Sequence, residues 1–202
     1  MTVRSVAWLK PDPAGMEFAE ATLFPDHIEA HGIAIGASPA AYRLDYGLQT
    51  AAGHVTAWLS ATVRGEGWAR SLRLIRAADG TWAAKRTESG EPPFDGPPTD
   101  DLDALTGARD CDLAYSPITN AMPVRRLLEP GAPEIVDITV AWVSVPDLGV
   151  VPERQRYTLV ERGTDGASVR FESLDGSFRA DIEVDRDGLV VDYPGIAKRV
   201  PR

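Results

Sequence analysis

The chain has 202 residues, 44% of them hydrophobic, 25% charged and 7% aromatic, which supplies a substantial core and excludes disorder as its overall state. Its 21 Lys and Arg against 30 Asp and Glu leave a net charge of −9. That balance argues against general nucleic-acid binding and against docking on anionic membrane, both of which need a basic field.

At the N-terminus, a short apolar stretch is interrupted by Pro11, Asp12 and Pro13, without the longer apolar region and small-residue cleavage site of a secretory signal. Nowhere does an apolar run approach the roughly 18 residues of a membrane-spanning helix, so no membrane insertion is expected. The single cysteine, Cys111, has no partner for an internal disulfide. A cytoplasmic setting follows as the expectation.

Strands are expected first at residues 3–9, 17–24 and 27–35. The strongest alternation follows, with Tyr42, Leu44, Tyr46 and Leu48 on one face of residues 42–50 and Arg43, Asp45, Gly47 and Gln49 on the other. Residues 54–64 repeat the scheme, with Val55, Ala57, Leu59, Ala61 and Val63 opposite His54, Thr56, Trp58, Ser60 and Thr62. Residues 70–75 and 81–85 flank Asp79-Gly80 as a hairpin. Residues 134–145 set Val136, Ile138, Val140 and Trp142 against a mixed face. Residues 151–193 read as a four-strand meander, closed at Asp165-Gly166, Asp175-Gly176 and Asp187-Gly188 by the positive φ that tight turns need.

The middle breaks the pattern. Residues 89–98 (SGEPPFDGPP) form a loop, and residues 99–105 a short helical turn capped by Thr99 or Asp100. Ser116-Pro117 offers a further helix start, which Pro123 interrupts. The sequence therefore predicts an all-β, mainly antiparallel fold of about eleven or more strands, in one domain spanning 1–202, with a helical and loop excursion in the middle.

Candidate sites carry competing structural readings. His27 and His31, four residues apart on a strand, lie about 13 Å apart, too far for one metal ion, so no metal site is expected. Cys111 reads as a half-buried structural thiol. Asp110 and Asp112 share one face of an extended segment, where they serve acid–base chemistry or bind nearby arginines. Arg125-Arg126 stands out in an acidic chain, either gripping a ligand's phosphate or carboxylate or pairing with Asp110 or Asp112. Trp58 falls on the polar face of its strand, which fits the lining of a cavity or the cover of a curved sheet. No nucleophile elbow, P-loop or dinucleotide pattern is present.

The run DCDLAYSPITNAMPVRRL, from Asp110 to Leu127, resembles the signature of a family named for glycolipid binding and formerly a domain of unknown function. Its pattern is approximately D-x-D-L, two residues, then x-P-x-T-N-x-x-P-[IV]-R-R-L. Gln155-Arg156-Tyr157 and Val191-Asp192-Tyr193-Pro194-Gly195 extend the match, and Trp8, Tyr42 and Tyr46 agree with it. Cys111 departs from it, standing where an aliphatic residue is expected. The resemblance implies one large curved sheet forming an incomplete barrel, similar to LolA- and LppX-type lipoprotein carriers. It further implies a lipid, glycolipid or other apolar small molecule held in the concave face, with no cofactor. The expected contacts are Asn120, Arg125 and Arg126 at a polar head and Trp58, Trp142 and Tyr157 along the wall. Asp110, Asp112, Pro117, Thr119 and Pro123 form the motif's structural frame. The alternative is an enzyme acting on a small molecule in the same concavity, with Asp110 and Asp112 as acid and base.

Overall fold

A computed structural model describes residues 1–96 and 101–201. Its strands are β1 (Thr2–Lys10), β2 (Gly15–Leu23), β3 (Ile28–Gly36), β4 (Tyr42–Ala51), β5 (Val55–Gly65), β6 (Trp68–Arg76), β7 (Trp82–Ser89), β8 (Asp110–Leu113), β9 (Ile135–Val143), β10 (Val150–Arg162), β11 (Gly166–Ser173), β12 (Arg179–Asp185), β13 (Val190–Tyr193) and β14 (Ala197–Arg199). One helix, α1 (Ala121–Leu127), follows β8. All fourteen strands join one sheet in the order β7-β6-β5-β4-β3-β2-β1-β14-β13-β12-β11-β10-β9-β8. Every neighbouring pair is antiparallel except β8 and β9. The sheet is large, mostly antiparallel and not closed into a barrel.

Alternation explains most of the strands. Val6, Trp8, Ala19, Ala21, Leu44, Leu48, Leu59 and Ala61 all turn to one buried face. The phase slips on β5, because register shifts between Gln49 and Thr50 on β4 and puts both Thr56 and Leu59 inside. Alternation is also incomplete on the outer face of β1–β3. There Leu9 lies opposite Met16, Met16 opposite Ile35 and Phe18 opposite Ile33, leaving an exposed apolar strip.

Three of the expected Asp-Gly turns have the required geometry, with positive φ at Gly80, Gly176 and Gly188. Asp79 and Asp175 each accept the backbone N–H two residues on, which locks these turns. Asp165-Gly166 works differently. Gly166 does not have positive φ but presses on the Val184 carbonyl, where an added Cβ would sit at 1.9 Å, so close approach is what demands glycine.

The excursion corrects the expected middle. A 3₁₀ turn occupies Asp103–Leu105, while the proposed caps Thr99 and Asp100 lie outside the described residues. Pro123 does not interrupt the helix; it is the third residue of α1, in the first turn, where a missing N–H costs no helical bond. The four-residue β8 runs parallel to β9, and the short β14 continues the last hairpin beyond Pro194-Gly195.

The two ends of the sheet curl toward each other around this excursion. Cys111 and Leu113 of β8, with Ala141 and Val143 of β9, join the core formed by β1–β6. Leu105, Ala108, Ile118 and Met122 fill the same core. A second core gathers Tyr157, Val169, Phe171, Ile182 and Val184 from β10–β12, and α1 contributes Val124 and Leu127 to it. The β8 edge meets β5, where Thr56 donates its N–H to the Arg109 carbonyl at 3.0 Å and its Oγ1 accepts the Cys111 N–H at 2.8 Å. The concavity over β1–β6 is thus packed with the chain's own side chains, and Cys111 is fully rather than half buried, its thiol pushed up to about 12 by that burial.

Candidate functional site

The excursion brings the central motif between the two cores, and β8 turns Asp110 and Asp112 to the same side. Their surroundings then diverge. Asp110 is 1% exposed and takes a bidentate ion pair from the Arg126 guanidinium of α1. Arg126 Nη1 also donates to the His54 carbonyl at 2.9 Å. Arg125 donates to the carbonyls of Phe24 and Asp187, each at 2.8 Å. Both arginines therefore tie α1 to neighbouring backbone and to β8.

Asp112 instead faces a cavity of about 300 Å³ between β8–β9 and β10–β13. Its wall contains Tyr115, Trp142, Phe171, Phe178 and Tyr193 as aromatic surfaces, and Asp112, Ser116, Asn120, Glu153, Gln155, Ser173 and Ser177 as polar groups. Phe171, Phe178 and Tyr193 pack ring to ring, with centroids about 6 Å apart. Tyr115 holds φ of 60° and is 38% exposed at this wall, an uncommon left-handed conformation for a bulky residue.

A hydrogen-bonded chain runs along the polar side. Asp112 accepts from Thr119 Oγ1 and from Gln155 Nε2, each at 2.8 Å. The same Gln155 nitrogen donates to Glu153 at 3.1 Å, and Ser173 donates to Glu153 at 2.5 Å. Beneath it, Tyr157 donates to Asn120 Oδ1 at 3.0 Å. Burial raises the Asp112 carboxyl to about 6 against the Gln155 and Thr119 hydrogen bonds, with Glu153 and Asp110 adding like-charge repulsion. Burial also holds the Tyr157 and Tyr193 hydroxyls neutral. Behind the cavity, Ser116 Oγ donates at 2.6 Å to Glu17, which also receives the Tyr46 hydroxyl and the Lys10 ammonium.

The sequence from residue 5 to 199 matches the model of the family described as "Putative glycolipid-binding". This chain belongs to that family. Its fold is similar to the crystal structure of a DUF1089 family protein from Pseudomonas aeruginosa, at 30% identity and TM-score 0.70, over 91% of this chain and 92% of that one. No curated protein matches the chain.

Within this family member, the sequence-predicted residues separate into three places. Asn120 and Trp142 line the cavity, and Tyr157 supports Asn120 from below. Arg125 and Arg126 are engaged away from it. Trp58 lies on the outer face, its Nε1 bonded to Gln49 at 2.7 Å and its ring 3.9 Å beneath the Arg73 guanidinium. Alternation with the buried Leu59 and Ala61 sends Trp58 outward, and the slip in phase beyond it turns Thr56 inward. Of the structural frame, Asp110 binds Arg126, Thr119 holds Asp112, and Pro117 and Pro123 are buried in the turn and in α1. His27 stacks on Phe24 and His31 pairs with Glu20 on the outer face.

Sequence reasoning missed Tyr115, Glu153, Phe171, Ser173 and Phe178 as cavity residues. A partial signal existed: Gln155 and Tyr193 belong to the flanking family segments. What no local pattern carries is that β8 lies across the cavity from these strands.

Proposed function

We propose that the protein is a non-catalytic binder that takes the hydroxyl-rich, non-anionic head group of a glycolipid-type ligand in this cavity. One observation carries the reading: the wall combines aromatic faces with carboxylate, amide and hydroxyl groups and contains no Lys, Arg or His among the described residues. Ionised carboxylates only accept hydrogen bonds, so they call for a ligand rich in donors, as a sugar is. The aromatic rings offer apolar surfaces for the ring's C–H faces. A phosphate or carboxylate head would meet like charge.

Size supports the same division. Ligand pockets run from about 300 to 1,000 Å³, and this cavity stands at the small end, suited to a head group and not to a whole lipid. With the concavity over β1–β6 packed, an attached chain leaves the cavity by its open side.

The test is titration of the purified protein with n-octyl β-glucoside below its micelle concentration, read by tryptophan fluorescence, together with mass spectrometry of solvent extracts. Saturable quenching is expected in the native chain, lost in Trp142→Phe and weakened at least tenfold in Gln155→Ala. No saturable response together with no co-extracted ligand overturns the reading.

A further inference from the structure

The described carboxylates of the interior divide sharply by their countercharges. The two buried most completely each carry a cation: Glu17 has Lys10 at 2.7 Å, and Asp110 has Arg126. Asp112 and Glu153, on the cavity wall, form no ion pair with any basic side chain among the described residues. Their hydrogen-bond donors are the neutral Thr119, Gln155 and Ser173. Both accept from the single Gln155 nitrogen, so their oxygens lie within about 6 Å of each other. The arginines beside Glu153 in sequence give no relief. Arg154 and Arg156 alternate to the opposite face of β10, where Arg156 is taken by Asp137.

Two negative groups enclosed side by side without a cation are costly, and neutral dipoles offset only part of that cost. A carboxylate has about four acceptor sites, so Asp112 and Glu153 retain capacity toward the open space. Around that space stand Trp142, Tyr115, Phe178 and Tyr193, whose ring faces attract a positive charge.

We propose that the cavity selects a head group bearing a protonated amine, of the amino-sugar type, whose ammonium supplies the charge that Asp112 and Glu153 lack. The inference rests on the cavity being the ligand site, and adds to it the sign of the ligand's charge. An ammonium brings three N–H donors to two carboxylates, while the hydroxyls of the same ring meet Gln155, Ser173 and Asn120. Burial is the main cause that raises the Asp112 carboxyl; Gln155 and Thr119 oppose it as neutral donors, and Glu153 and Asp110 add to it as like charges. Tyr157 and Tyr193 also face it and stay neutral.

The test is a calorimetric titration of the native protein at pH 7.5 with glucosamine, glucose, N-acetylglucosamine and glucose 6-phosphate. Glucosamine is expected to bind at least tenfold more tightly than glucose or N-acetylglucosamine, and glucose 6-phosphate more weakly than glucose. In Glu153→Gln, confirmed folded by its thermal transition, the amine's advantage over glucose is expected to fall below threefold. Equal binding of glucose, N-acetylglucosamine and glucosamine overturns the amine inference and leaves the sugar-head reading standing. Absence of binding by all four sugars and by the octyl glucoside overturns both.

Discussion

At the scale of single residues, Asp112 and Asp110 show how one strand face serves two purposes. They are two positions apart on β8, as period-two reading requires, yet one meets a guanidinium and the other a cavity. Sequence could place them on one face; it could not say that α1 returns to Asp110 while β10 supplies Gln155 to Asp112, because both partners are distant along the chain. The difference has a consequence for pH. The ordinary value of an aspartate is 3.8, and burial lifts Asp112 to about 6 in the folded protein. Between those values the unfolded chain loses the proton and the native one keeps it. Stability therefore falls as pH rises through this window and remains lower above it. The full difference is worth about 3 kcal/mol. Urea unfolding at pH 3.5 and pH 7.5 is expected to show the native chain losing about 2–3 kcal/mol more than Asp112→Asn over this range. Identical losses would mean that Asp112 titrates normally.

At the scale of elements, what was legible depended on whether a local pattern decides the structure. Long strands such as β3, β4 and β6 bury one face, so alternation reveals them. Four-residue β8 and seven-residue α1 are too short for periodicity to identify, and their conformations come from being enclosed between two cores. Pro123 illustrates the point: taken locally it breaks a helix, but in the first turn of α1 it is harmless. The element that most needs a tether is α1, and Arg126 provides it through Asp110 of β8 and the carbonyl of His54. Removing the cation strands a buried carboxylate, so Arg126→Ala is expected to cost about 3–5 kcal/mol in denaturant unfolding. Arg126→Lys should recover only part of it, since an ammonium cannot reproduce the two-pronged pairing. The double change Asp110→Asn with Arg126→Met should cost less than the two single changes added together. A full additive loss would show that the two side chains act independently.

At the scale of the molecule, the sheet's order places β1 beside β14, and among the described residues the ladder joining the strands before the excursion to those after it has two paired positions, Trp8 with Arg199 and Leu9 with Lys198, supplemented by bonds from Trp8 to the Val190 carbonyl and from Arg4 to Asp187. Such a short ladder is a weak joint by itself. The stronger connection is the excursion, whose Leu105, Leu113, Ile118 and Met122 are buried in the core made by β1–β6 although they follow that segment in sequence. Arg76 and Trp82 add bonds to the Ala108 carbonyl from the same side. The covalent link between the two parts passes through Gly90 and Glu91, which are exposed. Continuity of the chain there should thus matter less than the packing behind it. A protease site inserted between Glu91 and Pro92 and then cut is expected to give two fragments that co-elute as one particle under native conditions and separate in urea. Changing Met122 to Ala removes a fully buried side chain from the shared core, at a cost of about 2–5 kcal/mol, and should bring that separation to lower urea. Fragments that part in native buffer would place the main joint in the covalent link and not in the packed excursion. The same packing that would hold the fragments together is what closes the concavity over β1–β6, and the cavity at Asp112 lies beyond it, on the far side of β8.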